Sequence, residues 1–387
     1  MSRGARLTRR EALVAGGGVA LGAGVATGVG FAVRARPPTI VPASESSRFQ
    51  LGVAQPETPQ SHGLIAVFDF AELTSTALSA TLMHLSTAIL TCTSASAFDP
   101  DVTPEGPGDL TVTIGLGPRA IRAVDPTLPG ALDLPRFAGD DTIEPNYVGG
   151  DLLVAIYSSD AGVLDAVLRR LTSDVPAISQ RWQQRGFRSS GYGTVARNPF
   201  GYKDGVIVPR GDAELAENVW ITDGALANAT VCVIRRLRLA VNSFRAQPIG
   251  RQDEIVGRRR LDGAPLSGGA PDGPIDVNAK TASGELLIPP RSHVRAAHPS
   301  FTGSALMLRR GYAYANGIVT LADGTEVDDS GLMFICFQND LEVFAKTQLR
   351  LDELDDLREF TTTTASATFL ILPGFSEDLP LGAPLGV

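Results

Sequence analysis

Apolar and polar positions follow two periods along this chain. Short, nearly continuous apolar runs bounded by turn residues read as buried strands. In the first half these are "GLIAVFDF" (63–70), "DLTVTIGLG" (109–117) and "GDLLVAIYSSD" (150–160). In the second they are "ATVCVIRRLRLA" (229–240), "YAYANGIV" (312–319), "GLMFICFQND" (331–340) and "TASATFLILPG" (364–374). Around them the period lengthens to that of a helix, near "SATLMHLSTAIL", in "AGVLDAVLRRL" and in "LEVFAKTQLRLDEL". Val163, Leu164, Val167 and Leu168 show the spacing that puts apolar side chains on one helical face. The order is β-α-β followed by β-α-β, twice over. This predicts an α+β fold of tandem ferredoxin-like halves, two antiparallel sheets flanked by helices. The two sheets are expected to pack against each other in a dimeric α/β-barrel-like arrangement.

The pattern also divides the chain. Residues 1–45 read as a signal and linker, 46–220 as an N-terminal half and 221–387 as a C-terminal half. The stretch 245–300 is rich in Gly, Pro and Arg and carries little periodicity. Segments that long without clear elements are more often functional than idle. The chain opens with "LTRREALVAGGGVALGAGVATGVGFAV", in which Arg9-Arg10 precedes a glycine-rich apolar run. That is the form of a twin-arginine export signal, with an uncleaved anchor as the alternative. Export through the twin-arginine machinery predicts a periplasmic, cell-envelope or extracellular protein. The route carries folded passengers, which raises the expectation of a cofactor loaded before export. "RARPPTIVPASESSRFQ" then reads as a flexible linker.

Composition narrows the chemistry. With 387 residues, 43% hydrophobic and 20% charged, the chain can bury a sizeable core. A net charge of −8 argues against broad nucleic-acid binding. The arginine clusters "VIRRLRL", "GRRRLDG" and "LMLRRGY" read mostly as solvated element ends, with anion binding as the alternative. Three cysteines, Cys92, Cys232 and Cys336, match no metal spacing, and the latter two lie in apolar runs. Buried reduced thiols are expected. Only four histidines exist, His62, His84, His293 and His298, so any histidine-dependent chemistry must use one of them.

Two segments concentrate polar groups suited to catalysis. "NPFGYKDGVIVP" (198–209) holds Asp204 between Lys203 and Gly205, with Gly201 three residues earlier. A tight turn is the plain reading, because Asp and Gly both tolerate positive φ. "PPRSHVRAAHPSFTGSALMLRRGYAYANG" (289–317) carries His293, His298 and the pair Arg309-Arg310. Taken in order, "FGYKDG", "SHVR" and, sixteen residues after the histidine, "LRRG" resemble the motifs of the dye-decolourising (DyP-type) haem peroxidases. "GRRRLDGAPL" (257–266) and "GLMFICFQNDLE" (331–342) are similar to segments of the exported deferrochelatase/peroxidase branch. The resemblance spans roughly residues 50–375.

The resemblance implies one haem b per chain. His293 would ligate the iron, and Asp204 and Arg309 would lie together over the other face as catalytic groups. Gly201, Lys203 and Gly205 would flank the cofactor, the glycines allowing close backbone approach. Arg295 would pair with a haem propionate. Asp340 would hold the free ring nitrogen of His293. His298 stands where the family usually has Asn and is a rival ligand, although His293 occupies the S-H-x-R position. Trp182, Trp220, Tyr312 and Tyr314 are candidate electron relays, with ordinary packing preferred. The implied activity is reduction of hydrogen peroxide and oxidation of a bulky, unidentified donor. A carboxylate can carry a proton between the two peroxide oxygens, and a guanidinium can stabilise charge on the departing one. The alternative is a haem-binding, iron-releasing protein working with iron-uptake partners. Self-association into a homo-oligomer is also expected.

Overall fold

A computed structural model describes residues 48–96, 98–189 and 195–387. The expected twin-arginine signal lies outside these residues. The described residues all belong to one compact unit, Pro38–Val387. Nine strands form one sheet: β1 (His62–Phe70), β2 (Thr111–Leu116), β3 (Leu152–Ser158), β4 (Ile178–Phe187), β5 (Thr230–Leu239), β6 (Leu308–Arg309), β7 (Tyr312–Thr320), β8 (Glu326–Gln338) and β9 (Thr361–Ile371). Their order is β5-β9-β2-β3-β1-β4-β7-β8-β6, and β5 also pairs with β8. That extra pairing closes eight strands into a barrel, with β6 attached outside the ring on β8. Every ladder is antiparallel.

The expected packing of one sheet face on another is therefore corrected. The two half-sheets meet edge to edge instead. At one seam β2 pairs with β9 through Gly115–Ile371 and Leu116–Leu370, and at the other β4 pairs with β7 through Phe187–Ala313. Within each half the strand order is the same. It is β2-β3-β1-β4 in the first and β7-β8-β5-β9 in the second.

Closure explains why the strands read as continuous apolar runs. In β1, β2 and β3 both faces are covered, so alternate residues enter different cores. Ile65 and Val67 of β1, with Leu153, Ala155 and Tyr157 of β3, fill the barrel interior. Leu64, Ala66 and Phe68, with Leu152, Val154 and Ile156, face outwards under helices α1 (Ser75–Thr93), α2 (Pro118–Val124) and α3 (Leu164–Thr172). On the outside of the second half lie α4 (Ile249–Val256), α5 (His293–Ala296) and α6 (Leu341–Leu354). There two smaller clusters, around Phe244 and around Phe344, flank a cavity.

Strand β4, "ISQRWQQRGF", carried no recognisable apolar run. Its inward positions include Trp182 and Gln184, and its alternate residues are exposed. Gln184 is buried because it serves a polar network inside the barrel. It accepts from Arg236 Nε at 2.9 Å, and Arg236 also pairs with Asp329. Asn316 donates to both Gln184 and Asp329. A buried charge persists only when paired and hydrogen-bonded. The reading of the arginine clusters as mostly solvated is corrected accordingly, since Arg235, Arg236, Arg258 and Arg310 are all buried. Trp182, Trp220, Tyr312 and Tyr314 all belong to the barrel core.

All three cysteines are buried and free. Burial raises the pKa of each thiol, so the thiolate at pH 8 is scarcer than for an exposed cysteine. Iodoacetamide at pH 8 is expected to leave the native chain unlabelled and to label all three positions after denaturation. Mass spectrometry reads the result, and fast labelling of the native protein would contradict this burial.

Candidate functional site

The Asp204 loop is built from its own backbone outward. Asn198 N–H donates to the Tyr202 carbonyl at 2.8 Å, and Asp204 N–H donates to the Ala196 carbonyl at 2.9 Å. Gly201 and Gly205 have φ of 94° and 84°, a region that favours glycine. The Arg197 guanidinium clasps this loop to the 257–266 turn. It donates to the carbonyls of Gly201 (2.6 Å), Arg260 (2.6 Å) and Leu261 (3.0 Å). The Tyr202 hydroxyl adds a 2.6 Å bond to Asp253 on α4. The expected tight turn at Asp204-Gly205 is corrected: the turn lies at 198–201, where Gly201 N–H donates to the Asn198 carbonyl at 2.8 Å, and Asp204 follows it and faces a cavity.

Lys203 crosses the 257–273 segment and pairs with Asp272 at 3.0 Å. Its stem fills the space beside Gly263, where a Cβ would come within 2.6 Å of Lys203 Cδ at a φ of 85°. Gly263→Ala therefore combines backbone strain with displacement of a tethered side chain. A loss of about 1–3 kcal/mol is expected, read as a lower urea midpoint. An unchanged midpoint would show that the loop gives way freely.

Asp204 and Arg309 meet at this loop. Arg309 lies on β6, where its Nε stands 3.4 Å from Asp204 Oδ1 and its Nη1 donates to the Ile207 carbonyl at 3.1 Å. Both side chains are partly exposed, at 33% and 26%. They line a cavity of ≈ 270 Å³ together with His293. The same pair also lines a second, wider cavity of ≈ 730 Å³. Thus the acid, the guanidinium and the imidazole, distant in sequence, line one cavity.

His293 begins α5. Its Nδ1 lies 2.6 Å from Asp355 Oδ2. With Nδ1 facing that carboxylate as donor, the neutral ring carries its lone pair on Nε2. The side chain is 38% accessible although it sits on the cavity wall. Burial alone would lower the His293 pKa, but the Asp355 carboxylate outweighs it and the net shift is upward. The fields of Asp204 and Arg309 also reach the ring, with opposite signs.

Three expected positions differ. Asp340 is not the partner of His293: it caps α6, its Oδ1 accepting from Glu342 N–H at 2.9 Å. Asp355, at the other end of that helix, takes the role, and its second oxygen accepts from Leu357 N–H at 2.9 Å. Arg295 does not line the cavity. It bonds the Val277 carbonyl and covers the Phe301 ring at 5.0 Å. Gly201 is also absent from the cavity wall, whereas Lys203 and Gly205 are on it. No backbone crowding explains Gly205, beside which a Cβ would meet open space, so its φ is the reason for glycine. His298 lines the cavity but its Nδ1 accepts from Ser300 N–H at 3.2 Å, which leaves the proton on Nε2.

The apolar part of the wall comes from Leu237, Leu332 and Phe334 of the barrel and Val256, Phe344 and Leu351 of the helices. An imidazole nitrogen in a partly apolar slot, with fixed cations on its wall, would suit a porphyrin whose iron is held by one histidine. No group of three or more His, Cys, Asp or Glu residues suited to a bare metal ion occurs among the described residues. Sequence reasoning missed Asp355, since it has no local pattern that points to a partner so far along the chain.

Comparisons with known proteins show the family. The family model for the N-terminal region of Dyp-type peroxidases matches residues 50–188, and that for the C-terminal region matches residues 195–376. A Dye-decolorizing peroxidase from Thermobifida fusca is 33% identical over 302 residues, which is 72% of this chain and 68% of that protein. A Deferrochelatase from Escherichia coli K12 is 29% identical over 295 residues, covering 70% and 67%. Among solved structures, ferric DtpA from Streptomyces lividans aligns with a TM-score of 0.78 at 31% identity, covering 90% of this chain and 100% of that one. A DyP-type peroxidase from Cellulomonas bogoriensis gives 0.80 at 28%, covering 91% and 99%.

Proposed function

This chain belongs to the Dyp-type peroxidases, haem b oxidoreductases that act on peroxide, and from that premise we propose that His293 is its iron ligand and Asp204 with Arg309 its peroxide-handling pair. The observation that carries the reading is the shared cavity, lined by all three side chains. When bound, haem supplies the iron at which peroxide is reduced and donors lose single electrons. Asp355 fixes the His293 tautomer, keeps Nε2 available and makes it a stronger base. Asp204 holds the proton taken from one peroxide oxygen and returns it to the other. Arg309, tethered to the Ile207 carbonyl, meets the charge that builds on the departing oxygen and cannot lose its own charge at working pH.

The finer features of the fold and the cell biology enter as proposals. The repeated strand order supports reading residues 46–220 and 221–387 as two ferredoxin-like halves. The Arg9-Arg10 pair supports export by the twin-arginine route from a leader within residues 1–45. Self-association is likewise proposed.

Rapid mixing of the purified ferric protein with one equivalent of hydrogen peroxide tests the function. A fast Soret change that is reversed by an electron donor is the expected result. A second reading, iron release from haem, is favoured by the relatives named Deferrochelatase. Iron-free porphyrin appearing under reducing conditions without peroxide would support it, and absence of any Soret change with peroxide would overturn the first.

A further inference from the structure

The cations on the wall of the His293 cavity differ in one respect. Arg309 has Asp204, Lys203 has Asp272, and Arg358 has Asp352 within 4 Å. Arg235 has Asp140 in a two-pronged pair at 2.7 and 2.8 Å. His293 has Asp355. Arg258 lines the same wall, is only 4% exposed and has no carboxylate of its own among the described residues. Its contacts are neutral carbonyls: Gly263 at 3.0 Å, Pro271 at 3.3 Å and Gly273 at 3.2 Å.

A guanidinium has five N–H donors, and three carbonyls leave two unused. Carbonyl dipoles solvate a buried cation but do not neutralise it, and a buried charge without a counter-charge is costly. Asp272 is the acid whose field reaches Arg258, yet its carboxylate is held by Lys203 and largely exposed. Burial accordingly lowers the Arg258 pKa. The missing counter-charge is one that a ligand of the cavity can bring.

Resting on the haem reading above, we infer that Arg258 is the wall residue that pairs with a carboxylate of the bound porphyrin. It takes the role first assigned to Arg295, which faces Phe301 instead. The pairing turns a buried cation that burdens the empty pocket into a source of selectivity for an acidic porphyrin. No proton or electron moves in this role. It is one of binding.

The test compares haem b with its dimethyl ester, in which both carboxylates are neutral. Both are titrated into the full-length chain purified without haem. Affinity is read from quenching of tryptophan fluorescence, and iron ligation separately from the Soret band. Loss of the His293 assignment therefore appears in the second readout and leaves the first to decide Arg258. The native chain is expected to favour the free acid by about tenfold or more. Arg258→Gln, which keeps donors for the carbonyls, is expected to lose that preference through weaker haem binding, with the ester unaffected. Arg258→Lys should retain part of it, and Arg258→Met serves as the second neutral variant should the Gln variant fail to fold. Equal affinity of the native chain for acid and ester overturns the inference. So does a neutral variant that keeps the native preference.

Discussion

Arg309→Leu is expected to slow the reaction of the haem-loaded enzyme with hydrogen peroxide by about 10²- to 10³-fold, with haem content unchanged. The size follows from removing one preorganised donor at a site of developing charge. The unchanged haem content follows from position, because Arg309 sits on the short β6 and is tied to Ile207 and Asp204, not to the His293 helix. Leucine keeps much of the apolar stem, so the barrel wall is preserved. Arg309→Lys should lose less, since it keeps the charge but cannot hold the carbonyl and the carboxylate at once. Stopped-flow absorbance at the Soret band measures the rate. A fall of less than about threefold would remove Arg309 from the reaction, given what one such donor contributes elsewhere.

His293→Ala is expected to cost most of the bound haem, and what remains should lack the spectrum of histidine-ligated ferric iron. No other histidine on the cavity wall offers a lone pair to replace it. His298 has its Nδ1 engaged with Ser300, so His298→Ala should leave the spectrum as it was. Asp355→Asn provides a graded version of the same experiment. It removes the charge behind the imidazole while leaving the ring in place, and losses of about 10- to 100-fold in affinity or activity are typical for such partners. Haem content per chain and the ferric spectrum are the measurements. Full haem retention by His293→Ala, with an unchanged spectrum, would move the ligand elsewhere.

Much of the scaffold was legible because strands buried on both faces announce themselves as apolar runs. Seven of the strands carried such runs; β4 did not, because its inward Gln184 serves Arg236 and its outward face is polar. Closure of the barrel was not legible either. It depends on which edges meet, and the seams involve only three residue pairs spread over distant segments. In the site, Asp204, His293 and Arg309 were found through short ordered motifs. Asp340 was assigned through the resemblance alone; Asp355 flanks the other end of the same helix, and sequence does not say which end approaches the imidazole. The N-cap position decides it: Asp340 spends its carboxylate on its own helix. Arg258 was hidden inside a run of three arginines whose neighbours are ordinary surface residues, such as Arg259 paired with Asp262.

The barrel lumen is filled by the chain's own aromatic and aliphatic side chains, while the His293 cavity lies against the outer wall beneath α6. Cofactor loading therefore makes no demand on the lumen. The strands can complete their ladders in the haem-free chain, and occupancy becomes an event of the barrel's outer face with the Asp204 loop and helices that cover it. Such an arrangement separates folding from loading, so that a chain can acquire, lose and reacquire its prosthetic group around a scaffold that never has to be rebuilt.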